Sequence, residues 1–410
     1  MPVEQIIDRP EDLPPLCAQL ATTGCFGFDT EFVGEGNYHP ELCLIQVSLP
    51  DRLLLIDPYK VGPLDPFWDV VTDPAHLVVV HSGRAEIRLC HTACGKPPGR
   101  CFDVQLAAGL VGLPYPLGHA ALVSQVLHRN LSKSETLTDW RVRPLTPAQI
   151  KYAFDDVRYL LPLHQELTKR LNRHGRLSWA EEEFARLTTL ALQEVIAPEK
   201  WRKLPGVGNL SSHRQAVARA LYLWRNERAE KAGRPPRTLC RDDLLVEIAR
   251  RDPKTVDDLK VMRGLAKRDL ETIVQVVAQA RELPPSEWPE RPEREPEPPQ
   301  LALLTNLLQA IVAHLAQQMR LAPGLMATVN DLKGLIRRVL DKADRPTDSL
   351  LDQGWRQQHL RPILEGILRG ETLLRITHPG SATPLEFFTG NGMPQQTVDL
   401  EEEEPPPSTS

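Results

Sequence analysis

The chain has 410 residues, of which 41% are hydrophobic and 25% charged, and its formal net charge at pH 7 is -5. This length predicts two or three domains, because one domain takes roughly 150 residues. The balanced composition excludes a chain that is disordered throughout, and the sequence has no run of about 18 apolar residues that would predict a membrane span. The N-terminus lacks the basic and apolar segments of a signal peptide, so we expect a cytoplasmic protein.

Charge and proline are unevenly distributed along the chain. Residues 201–283 carry 18 basic and 11 acidic residues, whereas the segments before and after them are net acidic. Residues 284–299 contain seven prolines in sixteen positions and predict an extended linker. Residues 394–410 are acidic and proline-rich, which predicts a disordered tail. The predicted domains are residues 1–200, 208–283 and 300–376.

The first 200 residues alternate strand-like and helix-like segments. Three antiparallel strands are predicted first, at residues 26–32, 42–49 and 53–56. A buried strand at residues 77–81 and two helices follow, near residues 85–93 and 104–110. The last predicted element is one long helix from Pro147 to about Leu171. Strands followed by helices indicate a layered α/β domain.

Beyond Ser211 the hydrophobic pattern is helical only. The predicted helices lie at residues 214–231, 242–249, 255–259 and 267–281, and then at residues 301–319, 328–340 and 359–368. They form two small all-α bundles of similar size, which suggests related modules. No feature predicts a protein partner, and we expect a monomer.

Two acidic residues of the first predicted strand share one face. Side chains two residues apart in a strand point the same way, so Asp29 and Glu31 project together. Phe28, Thr30 and Phe32 are expected to pack on the other face. A buried pair of carboxylates is unfavourable unless cations neutralise it, which indicates a divalent metal site. A solvent-exposed edge strand is the alternative.

The long helix supplies a third carboxylate. Thr146, Pro147 and Gln149 form a capping box that begins the helix. Tyr152 and Asp156 are then four residues apart on one face. By itself this pair is compatible with a simple hydrogen bond.

These motifs together resemble the ribonuclease D family of DEDD exonucleases, which carry a tyrosine in the third motif. The matching segments run in the family order: FDTEF at residues 28–32, LIQ at 44–46, LIDP at 55–58, KSETLTDW at 133–140, RPLT at 143–146 and YAFDDVRYLLPL at 152–163. The resemblance implies a ribonuclease-H-like exonuclease domain with a mixed sheet. It also implies a metal-dependent 3′→5′ exoribonuclease that acts on single-stranded 3′ ends such as those of tRNA precursors.

The same resemblance implies roles for individual residues. Two divalent ions, Mg²⁺ or Mn²⁺, would stabilise the attacking and leaving oxygens of the phosphodiester. The expected metal ligands are Asp29, Glu31, Glu86 and Asp156. Tyr152 would orient the attacking water, because a phenol with a pKa near 10 is a better positioning group than a base.

Glu86 stands where the family has aspartate. Its side chain keeps the charge but is one methylene longer, and Mg²⁺ tolerates geometric error poorly. Three outcomes stay open: an active enzyme with a shifted ligand, a slow or Mn²⁺-preferring enzyme, and an RNA-binding protein without activity. Asp103 is a second candidate ligand, ranked below Glu86.

The resemblance extends to the helical region. Residues 210–283 resemble the helicase-and-RNase-D C-terminal (HRDC) domain, and residues 301–375 resemble a second copy more weakly. HRDC domains often bind nucleic acid. The candidate RNA contacts are Lys133, Arg141, Trp224 and Arg225. A DNA-directed exonuclease with the same fold is the remaining alternative, although the chain has no GxxxxGK[ST] motif.

Overall fold

The structure is a computed structural model that describes residues 2–131, 138–196, 199–290, 297–341, 349–377 and 379–389. Lys133, residues 291–296 of the predicted linker and the predicted tail at residues 394–410 lie outside these ranges. Within them, no helix combines the length and apolar composition needed to cross a bilayer.

A six-stranded mixed sheet forms the centre of the N-terminal domain. Its strands are β1 (Val3–Ile7), β2 (Cys25–Val33), β3 (Glu41–Ser48), β4 (Arg52–Ile56), β5 (Leu77–Val80) and β6 (Arg100–Asp103). They lie in the order β1-β4-β3-β2-β5-β6. The predicted antiparallel pairing of β2, β3 and β4 is confirmed. Strands β1, β5 and β6 extend this unit by parallel pairing, and neither β1 nor β6 was predicted.

Helices cover both faces of the sheet. The helices of this domain are α1 (Leu13–Ala21), α2 (Pro58–Val61), α3 (Asp65–Thr72), α4 (Arg84–Cys94), α5 (Val104–Leu110), α6 (His119–Leu127), α7 (Pro147–Arg158), α8 (Leu160–Arg173) and α9 (Leu177–Ile196). The alternation of strand side chains divides the interior into two cores. In β4, Leu54 belongs to the core that includes α1 and α3, whereas Leu53 and Leu55 belong to the core that includes α7 and α8.

The predicted long helix is wrong in one respect, because it is broken at Tyr159 into α7 and α8. Pro162 explains the break. Proline has no N–H to donate to the carbonyl of Arg158 four residues earlier, and its ring clashes with that carbonyl. The chain therefore turns before α8 begins, and α7 and α8 can each follow the sheet in their own direction.

The first helical domain has a core of its own. Its helices are α10 (Ser212–Lys231), α11 (Pro236–Leu239), α12 (Asp242–Arg251), α13 (Val256–Lys260) and α14 (Leu270–Arg281). Trp201, Leu221 and Leu245 are fully buried within it. None of the described residues that form this core belongs to the N-terminal domain.

The C-terminal segment is built differently. Its elements are α15 (Leu301–Gln318), α16 (Val329–Asp341), α17 (Gly354–His359), α18 (Arg361–Leu368) and a hairpin of β7 (Thr372–Ile376) and β8 (Leu385–Thr389). The hairpin was not predicted, so this segment is not all-α. Leu308, Leu335 and Trp355 share one hydrophobic core with Leu163 of the N-terminal domain. This shared core holds the segment against the N-terminal domain, although an extended linker was predicted before it.

Candidate active site

Strand β2 brings Asp29 and Glu31 to the sheet face covered by α7 and α8. Phe28 packs into the opposite core, as the period of two predicts. The close approach of α8 requires Gly27, since a Cβ there would lie 2.1 Å from the Ser48 Oγ and 3.1 Å from the Leu160 Cβ. The absence of a side chain at this position therefore lets the helices close over the two carboxylates.

The end of β2 departs from the predicted alternation. The pairing of β2 with β3 shifts between Glu31 and Phe32. The expected packing of Phe32 beside Phe28 is wrong, because 37% of the Phe32 side chain stays exposed. A β-bulge bends the strand and redirects the side chain that follows it.

Helix α7 carries the other two predicted active-site residues. The predicted capping box is confirmed: the Thr146 side chain accepts from the Gln149 N–H, and the Gln149 side chain accepts from the Thr146 N–H. Tyr152 and Asp156 lie on one face, close enough for each to change the pKa of the other. Asp155 pairs with Lys151 at 2.8 Å and with Arg158 at 3.0 Å, and these pairs direct its carboxylate away from this group.

An ion pair that the sequence analysis did not assign fixes the start of α7. The Arg143 guanidinium donates to both carboxylate oxygens of Asp57, at 2.7 and 3.0 Å, and to the Cys43 carbonyl at 2.6 Å. Asp57 is only 4% exposed. Both residues lie in motifs already noted, LIDP and RPLT. Their presence in these motifs was the sequence feature that could have identified them. A bidentate pair of this kind fixes orientation as well as distance.

Glu86 reaches the strand carboxylates from α4. Its side chain is 6% exposed, and its Oε1 accepts a hydrogen bond from the Thr30 Oγ1 at 3.3 Å. The backbone before α4 is held by Asp103, whose two oxygens accept from the N–H groups of Ser82 and Gly83. Asp103 also caps α5 through the N–H groups of residues 105 and 106. Its oxygens thus hold two backbone segments in place, which agrees with its rank below Glu86.

The four carboxyl groups are electrostatically strained. Burial raises the pKa of Glu31 to about 9, and the nearby Asp29, Asp156 and Glu86 add to the effect. Burial and the charge of Asp29 raise the pKa of Glu86 and of Asp156 to about 8. Burial raises the pKa of Asp29 to about 7, although a hydrogen bond from the backbone N–H of residue 30 opposes the shift. The group therefore favours binding either protons or cations near neutral pH.

The donor set fits divalent cations. Carboxylate oxygens are the ligands that Mg²⁺ and Mn²⁺ prefer. The buried Asp156 Oδ2 has no hydrogen-bond partner among the described residues, so it is available to a cation. Among the described residues, no three acidic, histidine or cysteine side chains already lie close enough together to hold a metal ion. The carboxylates are neighbours that would have to draw together around an ion.

His119 was missed by the sequence analysis. Its Nδ1 lies 4.0 Å from the Asp156 Oδ1, and its ring contacts that of His81 edge to face at 5.4 Å. Burial lowers the pKa of His119 to about 3, so the imidazole is neutral. No local motif marked it, because α6 approaches α7 only through the tertiary fold.

The predicted RNA contacts differ in how buried they are and in the partners they have. Arg225 is 3% exposed and donates to the Cys240 carbonyl and to Asp242, both at 2.8 Å. The prediction for Arg225 is therefore wrong, because its guanidinium is used inside the helical domain. Trp224 is half-buried against that domain's core, and Arg141 is exposed beside Asp139. The predictions for these two residues remain untested.

Comparison with known families agrees with this arrangement. A family model described as 3'-5' exonuclease matches residues 4–172, and a model of the HRDC domain matches residues 214–280. The fold and the carboxylate group thus define a 3′–5′ exonuclease joined to an HRDC domain. The models match one HRDC domain, and the second predicted copy stays a prediction.

Related proteins specify the family. The chain is 32% identical to ribonuclease D of Pseudomonas paraeruginosa over 88% of its own length and 97% of that relative. It is 31% identical to ribonuclease D of Granulibacter bethesdensis over 92% and 95%, respectively. The crystal structure of Escherichia coli RNase D, described as an exoribonuclease involved in structured RNA processing, superposes with a TM-score of 0.79 at 27% identity, covering 90% of this chain and 99% of that one. The chain belongs to the ribonuclease D family.

This membership confirms two predictions from the sequence. The N-terminal domain has the expected ribonuclease-H-like exonuclease fold with a mixed sheet. The protein is a 3′→5′ exoribonuclease, which favours RNA over the DNA-directed alternative.

Proposed function

We propose that the protein shortens RNA stepwise from the 3′ end, with tRNA precursors as substrate, and that two divalent cations, Mg²⁺ or Mn²⁺, assist the reaction. The observation that supports this proposal is the group of four buried carboxylates with raised pKa values. Like charges in a buried site are stable together only when protons or cations neutralise them.

The residues of the site have two tasks, holding the cations and orienting the attacking water. The cations would be held by Asp29, Glu31, Glu86 and Asp156. When bound, they stabilise the negative charge on the attacking and leaving oxygens. Burial and the charge of Asp156 raise the pKa of Tyr152 above its usual range, so its hydroxyl stays protonated. Tyr152 therefore orients the attacking water by hydrogen bonding and does not act as a base.

The chemical step is hydrolysis of the terminal phosphodiester. The water oxygen bonds to phosphorus while the bond from phosphorus to the 3′ oxygen of the preceding nucleotide breaks. A nucleoside 5′-monophosphate leaves, one proton of the water is released, and the 3′ oxygen of the shortened RNA takes up a proton. The shortened chain again ends in a 3′ hydroxyl, so the cycle can repeat.

The position of Glu86 supports the active reading of the site. Its longer side chain begins on α4 and still reaches Thr30 in β2, between the two strand carboxylates. Besides burial, the charge of Asp29 raises the pKa of Glu86, so the two groups lie within electrostatic reach of each other. Glu86 thus keeps a carboxylate at the site.

The proposal is tested with a 5′-labelled tRNA precursor that carries a 3′ extension. We expect a ladder of stepwise shortening that depends on Mg²⁺ or Mn²⁺ and stops with a chelator. Asp29→Ala should lower the rate by at least about 100-fold, comparable with the loss of other transition-state stabilisers. The matched control is Asp155→Asn, since this carboxylate is adjacent in sequence to Asp156 but pairs with Lys151.

Two outcomes would contradict the proposal in different ways. RNA that is bound but never shortened with either metal would indicate a binding protein whose activity was lost with the change at Glu86. Activity that survives in Asp29→Ala would show that the reaction takes place elsewhere in the chain. A folding check by circular dichroism accompanies both variants, and removal of one like charge should leave the metal-free fold intact.

A further inference from the structure

Strand β3 carries a buried amide that the proposed mechanism does not use. Gln46 ends the LIQ motif, its side chain is fully buried, and neither its Nε2 nor its Oε1 has a hydrogen-bond partner among the described residues. A buried amide without partners destabilises a folded protein, so it calls for an explanation such as a catalytic role. We propose that Gln46 is a positioning residue of the active site, whose amide donates a hydrogen bond to the Asp29 carboxylate when cations are bound.

Strand register places Gln46 beside Asp29. The two residues are direct partners in the antiparallel pairing of β2 with β3. Directly opposite residues of such a pair project to the same face, with Cβ atoms about 4.5–5.5 Å apart. The adjacent residues identify this face, because Leu44 belongs to the core that includes α7 and α8, whereas Ile45 and Val47 belong to the opposite core. The amide and the carboxylate therefore share the face that α7 covers.

The Asp29 carboxylate has room for a further donor. Its Oδ1 accepts a hydrogen bond from the Thr30 N–H at 2.9 Å. An ionised carboxylate offers about four acceptor sites, so cations and a second hydrogen bond can share it. Carboxylates that hold metal ions are themselves commonly hydrogen-bonded, and this bond fixes their orientation. A glutamine on the neighbouring strand is long enough to supply the second bond.

Asp156 is incompletely bonded in the same way. Its Oδ2 is buried and has no partner in the described part of the chain, and burial together with the charge of Asp29 raises its pKa to about 8. Asp29 is thus the common neighbour of two incompletely bonded groups, this carboxylate on α7 and the Gln46 amide on β3. The carboxylates have to draw together before they can hold an ion. Because the amide gains its partner in the same step, it favours the cation-bound state.

Ser48 offers a matched comparison on the same face of β3. It lies two residues after Gln46, its side chain is 1% exposed, and its Oγ also lacks a partner within the described residues. Its partner in β2 is Gly27, which has no side chain to accept a hydrogen bond. The two residues share burial and the lack of a partner but differ in the group opposite. An effect that depends on the Asp29 carboxylate should therefore be confined to Gln46.

The inference rests on the proposed function, so its first test needs no RNA. Gln46→Met replaces the amide by an apolar group of similar size, and the loss of an unpaired buried amide should raise the thermal midpoint of the chelated, full-length protein by about 2–4 °C. Ser48→Ala should not lower the midpoint. Gln215→Met is the opposite control, because the buried Gln215 amide of the HRDC domain donates to the Leu210 carbonyl at 3.2 Å. Its loss should lower the midpoint.

The second test measures the binding of Mn²⁺ alone, with free Mn²⁺ followed by electron paramagnetic resonance. Gln46→Met should bind Mn²⁺ about 10–100-fold more weakly than the unmodified protein, the loss typical of a group that orients a metal ligand. Gln46→Asn keeps a shorter amide and should retain more of the affinity. Ser48→Ala and Gln215→Met should stay within twofold of the unmodified protein. A gain in metal-free stability combined with a loss of cation affinity is not expected of a merely structural amide.

Hydrolysis of the 5′-labelled tRNA precursor provides a third measurement. Gln46→Met should lower kcat by about 10–100-fold. The KM for the RNA should stay within twofold, because the amide acts on a metal ligand and not on the RNA. Ser48→Ala should change neither constant.

Two results would overturn the inference. A lower thermal midpoint in both Gln46→Met and Gln46→Leu would show that the amide already has a partner, such as a buried water, in the cation-free protein. Mn²⁺ affinity that is unchanged in Gln46→Met, or that falls equally in Ser48→Ala, would show that the amide does not act on Asp29.

The measurements also separate the inference from the proposed function. If Gln46→Met loses Mn²⁺ affinity but the unmodified protein hydrolyses no RNA, the positioning role stands and the proposed activity fails. If the unmodified protein and Gln46→Met hydrolyse RNA and bind Mn²⁺ equally well, the activity stands and the role of Gln46 is excluded.

Discussion

The two regions that follow the exonuclease domain look alike in sequence but differ in how they are held. The HRDC domain encloses its own core. It meets the exonuclease domain through polar contacts, in which the Tyr38 N–H donates to the Gly233 carbonyl at 3.3 Å and the exposed His39 lies 3.5 Å from Glu230. The C-terminal segment shares one continuous core with the exonuclease domain. This difference shows that helical periodicity identifies a helix but not the domain to which its apolar face belongs.

Specific polar contacts reinforce the shared core. The Arg176 guanidinium donates to the carbonyls of Leu110, Met319 and Arg320 and so joins the turn between α8 and α9 to the end of α15. Glu183 in α9 pairs with Arg356 in α17, and both side chains are nearly inaccessible. Buried donors and acceptors must be satisfied, so these bonds fix the orientation of the segment.

The largest expected effect comes from removing a buried tryptophan on each side of the comparison. Trp355 is 1% exposed and stacks on Trp179 of α9, whereas Trp201 is fully buried in the HRDC domain. Each change to alanine should lower the free energy of unfolding by about 3–5 kcal/mol. Trp355→Ala should destabilise the exonuclease domain, and Trp201→Ala should destabilise the HRDC domain alone.

Hydrogen exchange measured by mass spectrometry distinguishes these cases, because it reports opening segment by segment. Faster exchange throughout β2–β5 in Trp201→Ala would contradict the separate core of the HRDC domain. Unchanged exchange there in Trp355→Ala would contradict the shared core.

Two glutamates of α9 sharpen the comparison further. Glu183→Ala leaves Arg356 buried without its partner and should lower the free energy of unfolding by about 3–5 kcal/mol. Glu194→Ala breaks pairs with Arg84 and Arg88 that are partly exposed, and such pairs contribute about 0–1 kcal/mol. Urea denaturation measures both. A similar loss for the two variants would show that the contact with the C-terminal segment is not buried.

Glycine substitutions probe the same boundary by overpacking. A Cβ at Gly109 in α5 would lie 2.6 Å from the Leu325 Cδ1 and 3.1 Å from the Tyr115 Cβ, so Gly109→Ala should lower the free energy of unfolding by about 1–3 kcal/mol. At Gly208 in the HRDC domain, an added Cβ would meet no atom within 4 Å, and the backbone φ is not positive. Gly208→Ala should therefore leave the thermal midpoint unchanged, and a drop as large as that of Gly109→Ala would contradict the assignment of the boundary.

The last prediction is a pH dependence confined to the exonuclease domain. The folded-state pKa values of Asp29, Glu31, Glu86 and Asp156 are raised, so the folded chain keeps protons that the unfolded chain releases above about pH 4. Stability of the metal-free protein should then fall as the pH rises from about 4 to about 9. Asp29→Asn should flatten this slope.

Mg²⁺ or Mn²⁺ should reverse the trend, because cations bind the deprotonated carboxylates and release their protons. Thermal melts recorded from pH 5 to 9 with metal and with chelator measure both slopes. A metal-independent slope, or one that appears equally in the HRDC domain, would contradict the placement of the four carboxyl groups at a cation site.

Part of the site followed from local sequence. The DxE spacing of Asp29 and Glu31 and the capping box before Tyr152 predicted which side chains share a face, because strand and helix periods are set by the backbone. The break at Tyr159 could also have been predicted, since Pro162 lies four residues after Arg158. It was missed because the apolar pattern continues across the break. The exposure of Phe32 depends on a bulge, which arises from the pairing of β2 with β3 and not from either strand alone.

Other features have no local signal. The engagement of Asp103 by two backbone N–H groups, the burial of Arg225 and the approach of His119 to Asp156 all join elements that are distant along the chain. Residue type could not distinguish an arginine that binds phosphate from one that closes a core. Only burial and the partner decide this, and both are properties of the packed molecule.

The sequence by itself determined the exonuclease fold class, most helices of both C-terminal regions and the acidic residues of the candidate active site. These depend on backbone periodicity and on the residue types that the chemistry requires. The tertiary structure alone decided that the C-terminal segment completes the exonuclease core, while the HRDC domain keeps a core of its own. The physical reason is that apolar burial is non-directional, so an amphipathic helix specifies that a face is buried but not against which partner.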